Sequence, residues 1–361
     1  GADLPFLAAL SFAVDGEAMR TNPFSGLEAC DGSAALWANL ADPAVKTLLP
    51  DTNVAALARA FSSLPVHLRR SLGGALVDRA LASGDEETAL RLKEAMLRLP
   101  SGDDPGAALA DARYRMATGN EAEARDLAED VLASGGPGSA VAAITLVEAA
   151  FKTGEALDAG MPALLESFLR ENRGTEAELA LQRASALALA ILGKFEEAFA
   201  VPDSTPQTRA DLWTLAAERA DDDTFLILAS RMIADTARGA MPTDEPIAGR
   251  LLSLGFPDLA LAWLGDRTET NAALQLLRAK AYMALRDPKN ALAELAGLDD
   301  AEAERVRAQA RLQLGDLAAA AEAYESAGEV DMAGRILTWT QDWTAVREAG
   351  PEGWRAAAGA M

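Results

Sequence analysis

Cysteine and histidine are almost absent. Cys30 is the only cysteine in 361 residues and His67 the only histidine. An intrachain disulfide and a cysteine-based metal site are therefore excluded. Neither residue sits in a motif that would make it chemical. Cys30, in "GLEACDGS", has no paired base, and His67, in "SLPVHLRRSL", has no metal-ligand spacing and no nucleophile partner. Aromatics make up 5% of the chain. No segment alternates apolar and polar residues for long, so no strand is expected. Long apolar runs are missing too. The longest uncharged stretch, Val131 to Val147, contains Gly135-Gly136-Pro137-Gly138, which breaks a helix, and no membrane insertion is expected.

The motifs of phosphate, zinc and acyl-transfer chemistry are also missing: no P-loop, HExxH or GxSxG occurs. Asp221-Asp222-Asp223 lacks the alternating carboxylates, the Gly and the closing Glu of a calcium loop. It is read as a helix-capping turn. No metal, no cofactor and no catalytic residue is expected, and only carboxylate chemistry stays open. Basic charge is scarce as well. With 55 acidic against 33 basic residues, the net charge is −22, which repels nucleic acid and anionic membrane surfaces. The chain opens on Gly1 rather than Met, and a start at "ADLP" suits a mature exported chain, so a periplasmic location is expected ahead of a cytoplasmic one.

What the chain has in plenty is alanine, 81 residues of it. Ala is the best helix former and lets helices approach closely, so an all-α fold is expected. One stretch shows how the alanines are used. In "LGDLAAAAEAYESAG", Leu314 to Gly328, Gly315-Asp316 joins a helix stop to a helix start. The same layout recurs at Gly84, Gly119, Gly154, Gly193, Asp222, Gly255 and Arg286, at spacings between 29 and 39 residues. Periods in this range mark helical-hairpin arrays.

Small residues keep register with these turns. Five positions after each turn stand Ala89, Ala124, Ala159, Ala198, Ile227, Ala260, Ala291 and Ala320. Seven positions before stand Val77, Ala112, Val147, Ala186, Leu215, Ala248, Ala279 and Ala308. Paired small residues allow the two helices of a hairpin to pack closely.

This pattern resembles the tetratricopeptide (TPR) repeat. The copy with Ala308, Gly315, Ala320, Tyr324 and Ala327 matches best, and that with Ala279, Tyr282, Ala291 and Leu295 comes next. The copies are degenerate: the family's early Trp is missing and its closing Pro mostly absent. The resemblance implies a right-handed α-solenoid of about eight TPR-like hairpins over residues 66–345. An N-terminal helical cap over 1–65 and a C-terminal tail over 346–361 flank it. In the cap, Asp31 or Ser33 is expected to start one helix and Asp51 or Thr52 the next. The Pro-bearing segments at 201–210 and 236–247 are expected to bend or divide the array. A ninth hairpin would turn near Gln341-Asp342.

The function implied is that of a non-catalytic interaction scaffold, binding a peptide or partner helix along the solenoid surface. TPR-like proteins often act in assembly of envelope or appendage complexes, and the resemblance implies the same here. One groove position, six before each turn, supplies Asp78, Arg113, Glu148, Lys280 and Gln309 as candidate partner contacts, alongside Leu187, Ala216 and Gly249. The Lys/Asn/Arg set with which chaperone-binding TPR domains hold acidic C-terminal tails is missing. Trp339, Trp343 and Trp354, at the Trp-rich C-terminal end, are candidate anchors. The identity of the partner and the oligomeric state stay open. The alternative is a carboxylate enzyme or its helical superhelix. Soluble lytic transglycosylases carry such Ala-rich superhelices, and "LLESFLR" holds a Glu166-Ser167 pair, although the other motifs of their catalytic domain are missing.

Overall fold

Seven of the eight turn positions hold a left-handed backbone: Gly84, Gly119, Gly154, Gly193, Gly255 and Gly315, with φ between 73° and 85°, and Arg286 at φ 60°. In six of them the residue after the turn donates its N–H to the carbonyl five residues back. Examples are Asp85 to Ala80, Asp287 to Tyr282 and Asp316 to Arg311, at 2.8–3.0 Å. This closure uses the orphan carbonyls at the end of a helix. The side chains of Asp85, Asp287 and Asp316 then accept the N–H three residues on, opening the next helix.

In this computed structural model the structure describes residues 4–15, 22–42, 45–97, 104–136, 138–175, 177–202, 205–234, 244–265, 271–339, 343–349 and 352–359. Among them are twenty-two α-helices and no strand. No helix is long and apolar enough to cross a membrane. The turn expected near Gln341-Asp342, and most of the 236–247 segment, lie outside the described residues.

The chain forms two compact units, Gly1–Thr205 and Pro206–Met361. In the first, α1 (Leu4–Asp15), α2 (Ser33–Leu40) and α3 (Val54–Ser63) precede α4 (Val66–Ala82). Then follow α5 (Glu86–Leu97), α6 (Pro105–Ala117), α7 (Glu121–Ser134), α8 (Ser139–Thr153), α9 (Met161–Glu171), α10 (Ala177–Ile191) and α11 (Phe195–Phe199). Each even-numbered helix from α4 to α10 packs on its successor, and α4, α6, α8 and α10 also pack one on the next.

The second unit holds α12 (Pro206–Arg219), α13 (Asp222–Ala234), α14 (Asp244–Ser253), α15 (Pro257–Leu264), α16 (Ala272–Ala284), α17 (Pro288–Glu294), α18 (Ala301–Leu314) and α19 (Leu317–Ser326), and α14, α16 and α18 each pack on the helix that follows. Here α12, α14, α16 and α18 form the chain of neighbours. The last helices, α20 (Val330–Trp339), α21 (Trp343–Ala349) and α22 (Glu352–Gly359), continue the sequential packing from α19.

The small-residue register explains these contacts. All eight positions seven before the turns are buried, from Val77 to Ala308. Six of the eight positions five after the turns are fully buried alanines. The two exceptions are corrections to the expected register. Ala159 lies exposed in a non-helical connection over 154–160, because α9 starts only at Met161. Ile227 is 45% exposed because α13 begins at Asp222, so the turn falls earlier and Phe225, wholly buried, takes the inward place.

The cap positions of the lead-in also differ from expectation. Gly32, not Asp31 or Ser33, precedes α2 and makes no side-chain cap bond. Asn53, not Asp51 or Thr52, caps α3 by accepting the Ala56 N–H. Thr52 is instead drawn to buried Asn39, which bonds its hydroxyl and receives the Leu49 N–H.

Candidate interaction surface

The position six before each turn is not uniformly exposed. Leu187 and Ala216 are fully buried. The charges there are engaged with neighbouring helices. Arg113 on α6 donates to Asp78 on α4. Arg183 on α10 grips both carboxylate oxygens of Glu148 on α8, at 2.7 and 3.3 Å. Lys280 on α16 donates to Glu302 on α18 at 2.5 Å. Each pair ties the first helix of one hairpin to the first helix of the next. Gln309, on α18, is exposed.

Burial raises the pKa of Asp78 and the guanidinium of Arg113 opposes the rise. Backbone and side-chain hydrogen bonds from Thr224 hold the Asp221 carboxyl below the ordinary range, in keeping with its place ahead of α13. Glu166 lies on the exposed side of α9 and pairs with Arg170 one turn on, at 2.8 Å. His67 and Cys30 are both exposed. Among the described residues no group of three His, Cys, Asp or Glu side chains could hold a metal ion.

Arginines close the hairpins in a way the sequence reading missed. Arg307 on α18 donates to the carbonyls of Leu295 and Leu298 after α17, both at 2.7 Å. Arg278 on α16 reaches the carbonyls of Leu264 and Gly265 after α15. Arg250 on α14 covers those of Ala216, Ala217 and Ala220 at the end of α12, and stacks 4.4 Å from the Phe225 ring centroid. A cation at a helix C-terminus satisfies orphan carbonyls and the helix dipole together. Arg278 and Arg307 both lie eight residues before a turn, a recurrence that was there to be read.

The tryptophans divide by burial. Trp213 and Trp263 are each 1% exposed and pack edge to face against one another. Trp339 is 63% exposed, Trp343 38% and Trp354 37%. On α20 the exposed residues Asp331, Arg335 and Trp339 recur every fourth position, a single helix stripe. On α21 Trp343 and Arg347 repeat that four-residue spacing, and on α22 Trp354 adjoins Arg355; all four are exposed. Beneath them Ile336, Val346 and Ala358 are buried. The final helices thus bury a small-to-medium apolar face and leave their largest side chains, each accompanied by an arginine, in solvent.

No family model matches the sequence, and no curated protein is significantly similar to it.

Proposed function

We propose that the protein is a non-catalytic, TPR-like interaction scaffold. Its two units would be stretches of a right-handed α-solenoid of about eight hairpins, and the binding surface would be the tryptophan and arginine face of α20–α22. The observation that carries this reading is the exposure of Trp339, Trp343 and Trp354, set against the complete burial of Trp213 and Trp263. Trp and Arg are enriched among the few residues that carry most of the energy in protein interfaces: Trp buries a large rigid surface, and Arg offers a planar head with several donors. By contrast, the charges first expected to contact a partner at Asp78, Arg113, Glu148 and Lys280 are held by the protein itself.

The sequential helix packing supports the scaffold part of the reading. Assembly of an envelope or appendage complex is the setting that the TPR resemblance suggests. The test compares proteins captured by the intact chain with those captured by the Trp339→Ala/Trp343→Ala/Trp354→Ala variant, followed by binding measurements on the purified partner. A partner bound by the first and lost by the second is expected. Equal capture by both would reject this surface.

A further inference from the structure

The third hairpin breaks the repeat, and the break builds a pocket. In the other copies two or three residues separate the helices, as Ser83-Gly84-Asp85 separates α4 from α5. Between α8 and α9 the chain instead runs non-helically from Gly154 to Gly160. This detour moves α9 along and leaves a cavity of about 300 Å³ against α7 and α8. Its wall is apolar, formed by Leu132, Leu146, Leu157 and Met161. Leu146 and Met161 are 5% exposed, so two core side chains form part of its wall.

The rim has a definite charge. Arg125 lines it and is clasped by Glu129 at 2.9 Å and by Glu155, from the detour, at 2.6 Å. Asp158 lines the same rim and accepts the Gly160 N–H at 2.8 Å, which fixes the loop. Around this mouth three carboxylates, Glu129, Glu155 and Asp158, outnumber one guanidinium, and two of the three pair with it. Asp126 and Asp130, both exposed on α7, add to the excess of negative charge. An apolar cavity of this size with a few polar groups at its mouth is the ordinary form of a binding pocket. Complementarity calls for an occupant with an apolar tip and a cationic flank.

We propose that this pocket receives a Leu-, Met- or Phe-sized side chain of a partner segment, with a Lys or Arg nearby seated against Glu129, Glu155 and Asp158. This site is separate from the tryptophan face and does not rest on it. It gives the chain a second attachment point, selective for basic amphipathic segments, and its cause is the irregular connection.

The test uses the full chain as bait for a displayed library of random twelve-residue peptides, with the best peptide then synthesised and titrated. Sequences pairing a large apolar residue with Lys or Arg within about four positions are expected. Ala133 lines the pocket and is itself exposed, so Ala133→Trp plugs the mouth with little disturbance of the fold. That variant is expected to weaken the peptide at least roughly tenfold, the loss of one buried side chain. Glu129→Lys/Glu155→Lys, at two half-exposed positions, is expected to do the same and to abolish the salt dependence. The triple Trp→Ala variant is expected to bind the peptide normally. Three outcomes overturn the inference: no enriched peptide, enriched peptides without the cationic flank, or affinity unchanged by both pocket variants. A peptide lost only in the triple Trp variant would also overturn it, while supporting the surface proposed above.

Discussion

Trp213 and Trp263 meet edge to face, with ring centroids 4.8 Å apart and planes at 70°, and the Trp263 indole N–H donates to Asp244 over 2.9 Å. The three residues come from α12, α15 and α14 and are each at most 2% exposed. Two large rings interlocked at the centre of close helix contacts leave little freedom to repack.

Trp263→Phe keeps a ring against Trp213 and withdraws a donor from the buried Asp244 carboxylate. A loss of about 2 kcal/mol is expected, from the cost of under-satisfying a buried acceptor. Trp213→Ala opens a cavity and is expected to cost about 3–5 kcal/mol. Urea unfolding followed by circular dichroism measures both. A Trp263→Phe variant as stable as the parent would show that the indole bond contributes nothing.

Arg286 occupies the turn position that glycine holds in the other regular copies, at φ 60°. Side chains in this region cost about 1 kcal/mol. Arg286→Gly is therefore expected to stabilise the chain by somewhat less than that, since glycine also gains freedom in the unfolded state. Gly315→Ala is the converse. Nothing lies within 4 Å of a Cβ placed there, so its expected loss of about 1 kcal/mol is backbone strain alone. Thermal melts of the two variants should move in opposite directions; shifts of the same sign contradict the assignment.

Lys93 and Asp111 form an ion pair between α5 and α6 at 2.8 Å, with both residues buried. The ammonium lies 4.4 Å from the Tyr114 ring centroid, and Asp111 also meets Arg115 at 3.2 Å. Lys93→Met leaves the buried carboxylate with less compensation and is expected to cost about 3 kcal/mol. The Lys93→Met/Asp111→Leu double variant should cost less than the sum of the two single changes. Additive losses in the double-mutant cycle would deny the coupling.

Burial raises the pKa of Asp78 above its unfolded value, so the folded chain binds this proton more tightly than the unfolded chain. The Asp78 contribution to stability is then greatest in acid and declines as pH rises through the raised pKa. Asp78→Asn removes that titration. The variant's stability relative to the parent should rise with pH across the acidic range, whatever constant offset comes from the altered contact with Arg113. Denaturant titrations from about pH 3 to pH 7 measure this slope. A relative stability that falls with pH has the wrong sign for the account.

The turns were the most legible feature of the sequence, because Gly-Asp, Gly-Asn and Arg-Asp each combine a left-handed stop with a cap or start. Those signals are local. The buried small residues followed from the turns by counting, and the count failed where the chain departed from it: at the 154–160 detour and before Asp222. Contacts between copies were less legible. That Arg113 would meet Asp78, or Arg307 the carbonyls of Leu295 and Leu298, depends on how hairpins stack, which spacing within one copy does not fix. The C-terminal tryptophans stood out as a group by composition. Their division into a buried pair and three exposed residues needed the helix faces.

Hydrogen–deuterium exchange on the full chain, with and without its captured partner, tests the central claim most directly. The account predicts slowed exchange across residues 330–359, where Trp339, Trp343 and Trp354 lie exposed. Protection confined to other helices, with 330–359 exchanging as in the free protein, would contradict it.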